Sequence, residues 1–406
     1  MARPRVVLGV SGGIAAYKAC EVLRGLTETG HDVRVVPTAS ALRFVGAPTW
    51  SALSGHPVSD EVWDDAHEVP HVRIGQDADL VLVVPATADL LARAAHGLAD
   101  DLLTSTLLTA RCPVLYVPAM HTEMWEHQAT ADNVALLRAR GAVVAEPAVG
   151  RLTGADSGKG RLPEPDEIVA LARDLLAGAP TGADLAGRHV VVSAGGTREF
   201  LDPVRFLGNR SSGRQGYALA RAAVARGAKV TLVSANVGLP DPAGADLVRV
   251  GSAGEMRAAV VDAATSADAV VMSAAVADFR PTAYAEDKIK KTPGVGVPTV
   301  ELERTPDILA EISASRSRPG QVIVGFAAET GDASGSVLDH GRAKLAAKGC
   351  DLLVVNEVGA GRGFESEHNE AVVLGADGSV TSVPYGPKSA LSHVVWTLVR
   401  DRMADT

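Results

Sequence analysis

The sequence contains few cysteines and no long apolar run, and both shortages restrict where the protein works. Its three cysteines, Cys20, Cys112 and Cys350, are widely spaced and match no disulfide or metal-binding pattern, which favours a reducing compartment. A membrane helix needs about 18 consecutive apolar residues, and no segment of the sequence has them. The N-terminus lacks the apolar core of a secretory signal. We therefore predict a cytoplasmic protein that does not span a membrane.

Basic residues are fewer than acidic residues, and aromatic residues are rare. The net charge of −9 excludes a nucleic-acid partner held by overall charge, so anionic ligands would need local basic clusters. Hydrophobic residues make up 47% of the chain but aromatic residues only 4%. Small aliphatic side chains let helices lie close on a sheet, which is typical of stacked βα units. The length of 406 residues predicts two domains of roughly 200 residues each.

The stretch Gly195–Gly216 is the strongest local signal. It follows an apolar run at 189–193 that predicts a buried strand, and it ends in a glycine-rich loop just before a helical pattern that starts at Tyr217. This order places backbone N–H groups and the positive end of a helix dipole where an anion can bind. An ordinary βα loop with a solvated basic rim is the alternative. The polar residues between the two glycine clusters are Arg198, Arg205, Asn209 and Arg210.

The first half of the chain alternates between strand and helix patterns. Strands are predicted at 5–10, 32–36, 80–84 and 114–117, helices at 15–26, 88–95 and 98–110, and a further pair of elements around 129–145. Such alternation indicates a doubly wound parallel sheet, whose ligands bind at the carboxyl ends of the strands.

Small and hydroxyl-bearing residues follow three of these strands. Because the strand ends share one edge, we predict a phosphate or flavin cradle there, although each piece alone is also typical of a helix N-cap. The predicted cradle residues are Ser11, Gly12, Gly13, Thr38, Ser40, Pro85, Ala86 and Thr87. Residues 147–163 are glycine-rich and without periodicity, which predicts a lid without regular structure. His71 lies in a segment predicted to be a loop, where a structural role is the alternative.

The second half also alternates. A helix at 164–176 ends the first domain, 1–176; the linker is 177–187, and the second domain is 188–406. Strands are predicted near 189–193, 229–234, 247–250, 269–273, 321–325 and 351–355, followed by a hairpin at 371–383 and a final helix. We therefore predict two doubly wound, mostly parallel α/β domains.

Two strand ends of the second half carry charged residues. Asp278 follows one predicted strand, where it could meet Mg2+ on a triphosphate. Lys288, Lys290 and Lys291 follow in a loop and could hold phosphates, although a solvated face is the alternative. The run Gly325–Thr330 is another strand-to-loop transition with one carboxylate.

These motifs together resemble one family over nearly the whole chain: the bacterial bifunctional phosphopantothenoylcysteine decarboxylase/phosphopantothenate–cysteine ligases of coenzyme A synthesis. In the first half the resemblance rests on GGIAAYK at 12–18, His71, PATAD at 85–89 and PAM-x-x-x-MW at 118–125. In the second half it rests on GGTRE, DPVR, NRSSG, AAVADF, KIKK and GFAAET, in order.

For the first domain the resemblance implies a flavodoxin-like fold that binds FMN at the predicted cradle. The substrate's thiol is oxidised to a thioaldehyde, the carboxylate β to the new C=S bond leaves as CO2, and a hydride is returned. His71 matches the family's catalytic histidine, and His121 stands where the family motif has asparagine. The family's flap cysteine is missing from 153–160, so Asp156, Ser157, Lys159 or a water could donate the final proton. A smaller departure is Phe200, where proline is common.

For the second domain the resemblance implies a Rossmann-like ligase. With CTP and Mg2+ it activates the carboxylate of 4′-phosphopantothenate as an acyl-cytidylate, and the amine of cysteine then displaces CMP. Asn209 and Arg205 would handle 4′-phosphopantothenate or the acyl-cytidylate, and Lys288 matches the family's catalytic lysine. The substrate and nucleotide contacts of the whole chain are predicted at Asp156 in the first domain and, in the second, at Ser211, Ser212, Gly213, Ala275, Asp278, Phe279, Lys290 and Phe326, with Asp278 also a metal ligand.

The resemblance further implies a homo-oligomer with trimeric flavin domains and dimeric ligase domains. The main alternative function is an active ligase whose first domain binds flavin for assembly but does not decarboxylate, motivated by the missing flap cysteine. A regulatory flavoprotein that binds a protein partner is a weaker alternative, because Asn209, Asp278 and Lys288 are all in place. An NAD(P) dehydrogenase is weaker still, since the glycine loop lacks the G-x-G-x-x-G spacing.

Overall fold

The computed structural model describes residues 3–58, 70–152, 156–290, 299–329, 336–357 and 368–404. Residues 153–155 of the flap segment, Lys291 and Thr330 lie outside the described residues. The chain divides into two compact units, Met1–Asp184 and Leu185–Thr406, and this division falls inside the predicted linker at 177–187.

A five-stranded parallel sheet forms the centre of the first unit, in the order β2-β1-β3-β4-β5. Its strands are β1 (Arg5–Val10), β2 (Asp32–Pro37), β3 (Leu80–Ala86), β4 (Val114–Pro118) and β5 (Val143–Val144). All seven residues of β3 are buried, as expected of an aliphatic strand covered on both faces. The strand order is that of flavodoxin-like sheets and confirms the predicted fold class.

Helices cover both faces of this sheet. Leu82 packs in one core cluster with Leu8 and Leu23, whereas Val81 and Val83 pack in a second cluster with residues such as Leu91. Successive residues of β3 therefore serve opposite faces. The helices are α1 (Ala19–Glu28), α2 (Ala47–Ser54), α3 (Pro70–Asp77), α4 (Ala88–His96), α5 (Leu102–Thr109), α6 (Thr122–Glu126), α7 (Gln128–Ala139) and α8 (Pro165–Leu176), with 3-10 turns at Ile14–Lys18 and Ala41–Arg43.

Three local predictions in the first unit were wrong. His71 lies in helix α3, not in a loop. The helix predicted from residue 98 begins at Leu102, because the side chain of Asp101 caps it by accepting a hydrogen bond from the Thr104 N–H at 2.7 Å. The predicted lid contains an antiparallel strand pair, β6 (Ala148–Arg151) and β7 (Ser157–Arg161), where regular structure was not expected.

The second unit contains an eight-stranded sheet in the order β12-β11-β8-β13-β16-β17-β18-β19. Its strands are β8 (His189–Gly195), β11 (Lys229–Ala235), β12 (Ala245–Val250), β13 (Ala269–Met272), β16 (Val322–Glu329), β17 (Leu352–Glu357), β18 (His368–Gly375) and β19 (Val380–Pro387). The first six strands in this spatial order are parallel and, numbered along the chain, follow the Rossmann order 3-2-1-4-5-6. The last two add an antiparallel edge, which agrees with the predicted hairpin.

Among the residues that the structure describes, two short ribbons and five helices complete the second unit. Trp396 is fully buried, and its indole N–H donates to the Leu219 carbonyl at 2.8 Å, which fixes the last helix against α9. Among the described helices of the chain, none combines the length and the apolar character that crossing a membrane requires. The ribbons pair β9 (Arg198–Phe200) with β10 (Phe206–Gly208) and β14 (Phe279–Pro281) with β15 (Leu302–Arg304); the helices are α9 (Arg214–Ala225), α10 (Ala253–Ala264), α11 (Ile308–Ala314), α12 (Val337–Lys348) and α13 (Lys388–Ala404).

Candidate active sites

The predicted cradle of the first unit lies where the strand order reverses, between β1 and β3. Ser11, which is 2% exposed, donates its hydroxyl to the Pro85 carbonyl at 2.7 Å. The same hydroxyl oxygen accepts a hydrogen bond from the Thr87 N–H at 3.0 Å. Ser11 therefore joins the loops that follow these two strands, at the place where flavodoxin-like folds bind their ligand.

The loops after β1 and β2 also touch. A Cβ atom on Gly12 would lie 2.4 Å from the Cβ of Ser40, so this close approach requires glycine. The Thr38 hydroxyl accepts a hydrogen bond from Ala41 N–H at 3.2 Å, and the Thr87 hydroxyl caps α4. The structure thus brings the eight predicted cradle residues to one sheet edge, where two of their hydroxyls stabilise turns.

The loop after β4 lies beside the cradle. The Ala119 N–H donates to the Ala86 carbonyl at 3.3 Å, which places the segment containing His121 next to the loop after β3. His121 precedes α6, and its backbone carbonyl accepts hydrogen bonds from the N–H groups of Met124 and Trp125. Its imidazole makes no capping hydrogen bond.

The β6–β7 pair is fixed to this loop. The Met120 N–H donates to the Gly160 carbonyl at 3.0 Å, and a Cβ on Gly158 would meet the Thr122 hydroxyl oxygen at 2.2 Å. Two glycines in β7 therefore allow the strand to lie flat against the start of α6. The carbonyl of Asp156 accepts a hydrogen bond from Leu152 N–H, and its side chain is exposed.

Lys159 of β7 is paired with a partly buried carboxylate. Its Nζ lies 2.7 Å from Glu146 Oε2 and 6.0 Å from the centroid of the Trp125 ring. Arg138 reaches the other carboxylate oxygen at 2.8 Å. Burial raises the pKa of Glu146, but the hydrogen bonds from Lys159 and Arg138 outweigh it and hold that pKa below its usual range.

Among the described residues, a hydrogen bond connects His71 to α5. Its carbonyl accepts a hydrogen bond from the Thr109 hydroxyl at 2.8 Å. Its Nδ1 atom is buried and has no hydrogen-bond partner within the described structure. These hydrogen bonds do not link His71 to the cradle loops, so its predicted role stays a prediction.

In the second unit the strand order reverses between β8 and β13. The Ala275 N–H donates to the Gly195 carbonyl at 2.8 Å, and the Ala277 N–H donates to the Thr197 hydroxyl at 2.9 Å. The amide of Asn209 donates to the Val276 carbonyl at 3.0 Å. The predicted anion loop is therefore bonded to the loop after β13.

A cavity of about 780 Å³ opens at this switch point. Gly213, with a φ of 76°, begins α9 in a left-handed conformation that glycine adopts without strain. The side chain of Ser211 accepts a hydrogen bond from the Gly213 N–H. The cavity is lined by eight of the predicted residues: Asn209, Ser211, Ser212, Gly213, Ala275, Asp278, Phe279 and Phe326.

Three predicted ligase residues lie together but do not line the cavity. Arg205 donates to the carbonyl of Ile289 at 3.0 Å, and this residue sits between Lys288 and Lys290. Both lysines are exposed. The structure thus brings Arg205 and the lysine segment together, at a position separate from the residues that enclose the cavity.

Sequence reasoning missed several charged residues of the cavity. Lys344 and Lys348 lie four residues apart on α12, a spacing that puts both on one helix face. Lys348 pairs with Asp307, which also caps α11. Burial raises the pKa of Asp307, but the hydrogen bonds from Lys348 and the Ala310 N–H, together with the charges of Lys348 and Lys344, outweigh it, so its pKa lies below the usual range.

Lys388, at the start of α13, is a further cavity residue and is only 9% exposed. Burial lowers the pKa of its ammonium group, and the nearby charge of Arg214 adds to the effect. Its Nζ lies 3.5 Å from the His368 carbonyl oxygen. Of the described residues, six lysines and arginines line the cavity, against Asp278 and Asp307.

The described residues contain no group of three or more histidine, cysteine, aspartate or glutamate side chains that could hold a metal ion. Asp278 is exposed at the cavity. A metal ion there would need oxygens from a ligand in addition to this carboxylate.

These features define a protein of two doubly wound α/β units, each with a candidate ligand site where its strand order reverses. Family models agree with the division: residues 1–177 match the Flavoprotein family, and residues 185–403 match the DNA/pantothenate metabolism flavoprotein C-terminal domain. The chain belongs to the family of coenzyme A biosynthesis bifunctional proteins.

Relatives of full length support this membership. The coenzyme A biosynthesis bifunctional protein CoaBC of Mycolicibacterium smegmatis is 62% identical over 100% of this chain and 97% of its own length. That of Bacillus subtilis is 44% identical over 96% of this chain and 95% of its own. A crystal structure of the C-terminal domain of a CoaBC protein shows 32% identity and a TM-score of 0.47, covering 55% of this chain and 100% of the domain. The predicted function, a bifunctional decarboxylase and ligase, is confirmed, and the decarboxylase-inactive alternative is not favoured.

Proposed function

We propose that the second unit joins 4′-phosphopantothenate to cysteine with CTP and Mg2+, and that the first unit decarboxylates the product with FMN. The observation that carries the proposal is the cavity of the second unit, where six cationic side chains face two carboxylates. Such an excess of positive charge suits two phosphorylated substrates held close together. Because the chain as a whole carries a net charge of −9, this local excess of positive charge is a property of the cavity and not of the whole protein.

In the ligase reaction, a carboxylate oxygen of 4′-phosphopantothenate attacks the α-phosphorus of CTP, and pyrophosphate leaves. The amine of cysteine then attacks the acyl carbon, and CMP leaves. We assign phosphate binding to Ser211, Ser212 and the N-terminus of α9. Asp278 would hold Mg2+ together with triphosphate oxygens, a set that suits a metal bound by one carboxylate and substrate phosphates.

Asn209 is the residue we assign to the acyl group, because it lies in the cavity and its amide is oriented by the Val276 carbonyl. Lys288 and Lys290 do not line the cavity, so they would stabilise the negative charge that develops on the phosphates by extending their exposed side chains toward it. Phe279 and Phe326 supply the aromatic surface of the cavity, on which a cytosine ring can stack.

The cradle of the first unit fits FMN. The contact of Gly12 with Ser40 fixes the loops after β1 and β2 at the strand ends, and the N-terminus of α4 would offer its N–H groups to the phosphate of FMN. A bound flavin supplies hydride transfer at the carbon that bears the substrate's sulfur. His71 would orient the substrate or accept its proton through its unpartnered Nδ1, and His121 would donate a hydrogen bond to it.

The flap segment 153–160 contains no cysteine, so another group has to protonate the decarboxylated product. Lys159 is paired with Glu146, which leaves it less suited to move toward a substrate. Asp156 and Ser157 stand at the exposed start of β7, so we assign the step to one of these side chains or to a water they hold. Trimeric flavin units, dimeric ligase units and a cytoplasmic location are further parts of the proposal.

Mass spectrometry of the purified protein with 4′-phosphopantothenate, cysteine, CTP and Mg2+ tests the function. We expect CMP and 4′-phosphopantetheine, and a parallel reaction with ATP checks the choice of nucleotide. The variant His71→Asn should stop at phosphopantothenoylcysteine, whereas His96→Asn, at an exposed residue of α4, should not. The ligase assignment is wrong if CMP does not form, and the decarboxylase assignment is wrong if the wild type also stops at phosphopantothenoylcysteine.

A further inference from the structure

A fully buried carboxylate, Asp202, connects the turn between β9 and β10 with the lysine segment. Its Oδ1 accepts hydrogen bonds from the N–H groups of Val204 and Arg205 at 2.8 and 2.7 Å. Its Oδ2 accepts a hydrogen bond from the Ile289 N–H at 3.2 Å, across 87 residues of sequence. Oδ1 therefore stabilises the turn, whereas Oδ2 bonds to a residue outside the turn.

Arg205 completes the connection. Its Nη2 donates to the Ile289 carbonyl at 3.0 Å, while its Nη1 lies 3.7 Å from Asp202 Oδ2. The N–H of Ile289 belongs to the peptide bond with Lys288, and its carbonyl belongs to the peptide bond with Lys290. Both peptide groups are thus fixed by the Asp202–Arg205 pair. The two exposed lysine side chains extend from a backbone held on both sides.

The turn alone does not account for a carboxylate at this position. An asparagine forms the same turn with one oxygen and without the cost of burying a charge. Burial raises the pKa of Asp202, but the three backbone N–H donors and Arg205 outweigh it, so its pKa lies below the usual range. The second, charged oxygen is what the contact with Ile289 requires.

We propose that Asp202 is a positioning residue of the ligase, which holds Lys288 and Lys290 in register with the strand that leads to Asn209. This inference rests on the proposed function of the second unit. The ribbon β9–β10 carries Asp202 at its turn and runs directly into Asn209, which lines the cavity. One element therefore sets the place of the lysines and of the cavity amide.

The variant Asp202→Asn tests the proposal. Its amide oxygen keeps both hydrogen bonds of the turn, whereas its NH2 group would face the Ile289 N–H, donor against donor. We expect faster hydrogen exchange at the Ile289 amide and about a tenfold lower kcat for CMP formation, with KM for CTP nearly unchanged. The matched control is Asp377→Asn, because Asp377 also accepts a turn N–H, from Ser379, and pairs with an arginine. This control should leave both readouts unchanged.

A double variant separates positioning from a purely structural role. If Asp202 acts through Lys288, the pair Asp202→Asn with Lys288→Arg is no slower than Lys288→Arg alone. Losses that multiply, or unchanged exchange at Ile289, would overturn the proposal. Arg205→Met, at a half-exposed side chain, provides a second variant that should also speed exchange at Ile289. If the wild type forms no CMP, the proposed function fails, while the exchange measurement still tests the connection.

Discussion

Gly12 and Ser40 approach so closely that a methyl group on Gly12 would lie 2.4 Å from the Ser40 Cβ atom and 2.9 Å from its carbonyl carbon. Backbone cannot move aside as cheaply as the end of a side chain. The contact therefore holds the loops after β1 and β2 in the arrangement that we assign to flavin binding.

The first prediction is that Gly12→Ala prevents flavin binding while the protein still folds. The methyl group has to push the two loops apart, and the cradle loses its shape. In a titration with FMN followed by flavin absorbance, the affinity of the variant for FMN should be at least about tenfold lower than that of the wild type. Gly182→Ala is the control, since its Cβ would meet nothing within 4 Å. Normal flavin content in Gly12→Ala would show that the cradle lies elsewhere.

Metal dependence provides the second prediction. Asp278→Asn keeps the size of the side chain but removes the charge that we assign to Mg2+. The Mg2+ concentration needed for half-maximal CMP formation should rise about tenfold, as expected for the loss of a carboxylate ligand. Asp246→Asn, at an exposed residue of β12, should leave that concentration unchanged. Equal shifts in both variants would contradict a specific role for Asp278.

The elements that could be predicted from the sequence are those with strong local patterns. The run Leu80–Ala86 is uniformly aliphatic or small, so its burial on both faces follows from composition, and Thr87 marks the start of the next helix. The residues after each strand converge because parallel strands share an edge. Predicting strand ends and caps of this kind needs no knowledge of distant contacts.

Contacts between distant segments could not be predicted in the same way. Arg205 and Ile289 are 84 residues apart, and neither position carries a pattern that points to the other. Lys344 and Lys348 reach the cavity because α12 connects β16 to β17, its neighbour in the sheet, and the local sequence does not encode that pairing. The sequence predicts a loop at His71 because its helix is only eight residues long and begins with proline.

The third prediction concerns one of these missed lysines. Lys348→Met should weaken CTP binding about tenfold, because it removes a cation of the cavity and leaves the charge of Asp307 without its partner. Isothermal titration with CTP and Mg2+ measures this directly. Lys229→Met, at the exposed start of β11, is the matched control. Unchanged affinity in Lys348→Met would mean that the nucleotide does not occupy this side of the cavity.

The fourth prediction concerns Glu146, whose pKa is held below its usual range by Lys159 and Arg138 against the effect of burial. A carboxyl group with a lowered pKa in the folded state stabilises it above the unfolded pKa, and this stabilisation is lost as the pH falls through the folded value. Glu146→Gln should therefore lower the free energy of unfolding by about 1–3 kcal/mol at neutral pH. The difference from the wild type should shrink in acid, below the ordinary carboxyl range.

Urea unfolding of the full chain, followed by tryptophan fluorescence at several pH values, measures this difference. Glu28→Gln is the control, because Glu28 is 67% exposed and its pair with Arg24 is a surface contact that contributes at most about 0.5 kcal/mol. Decarboxylation should also slow in Glu146→Gln, since Lys159 no longer ties β7 to its neighbours. A stability difference that persists unchanged into acid would show that packing, and not the charge of Glu146, holds the β6–β7 pair in place.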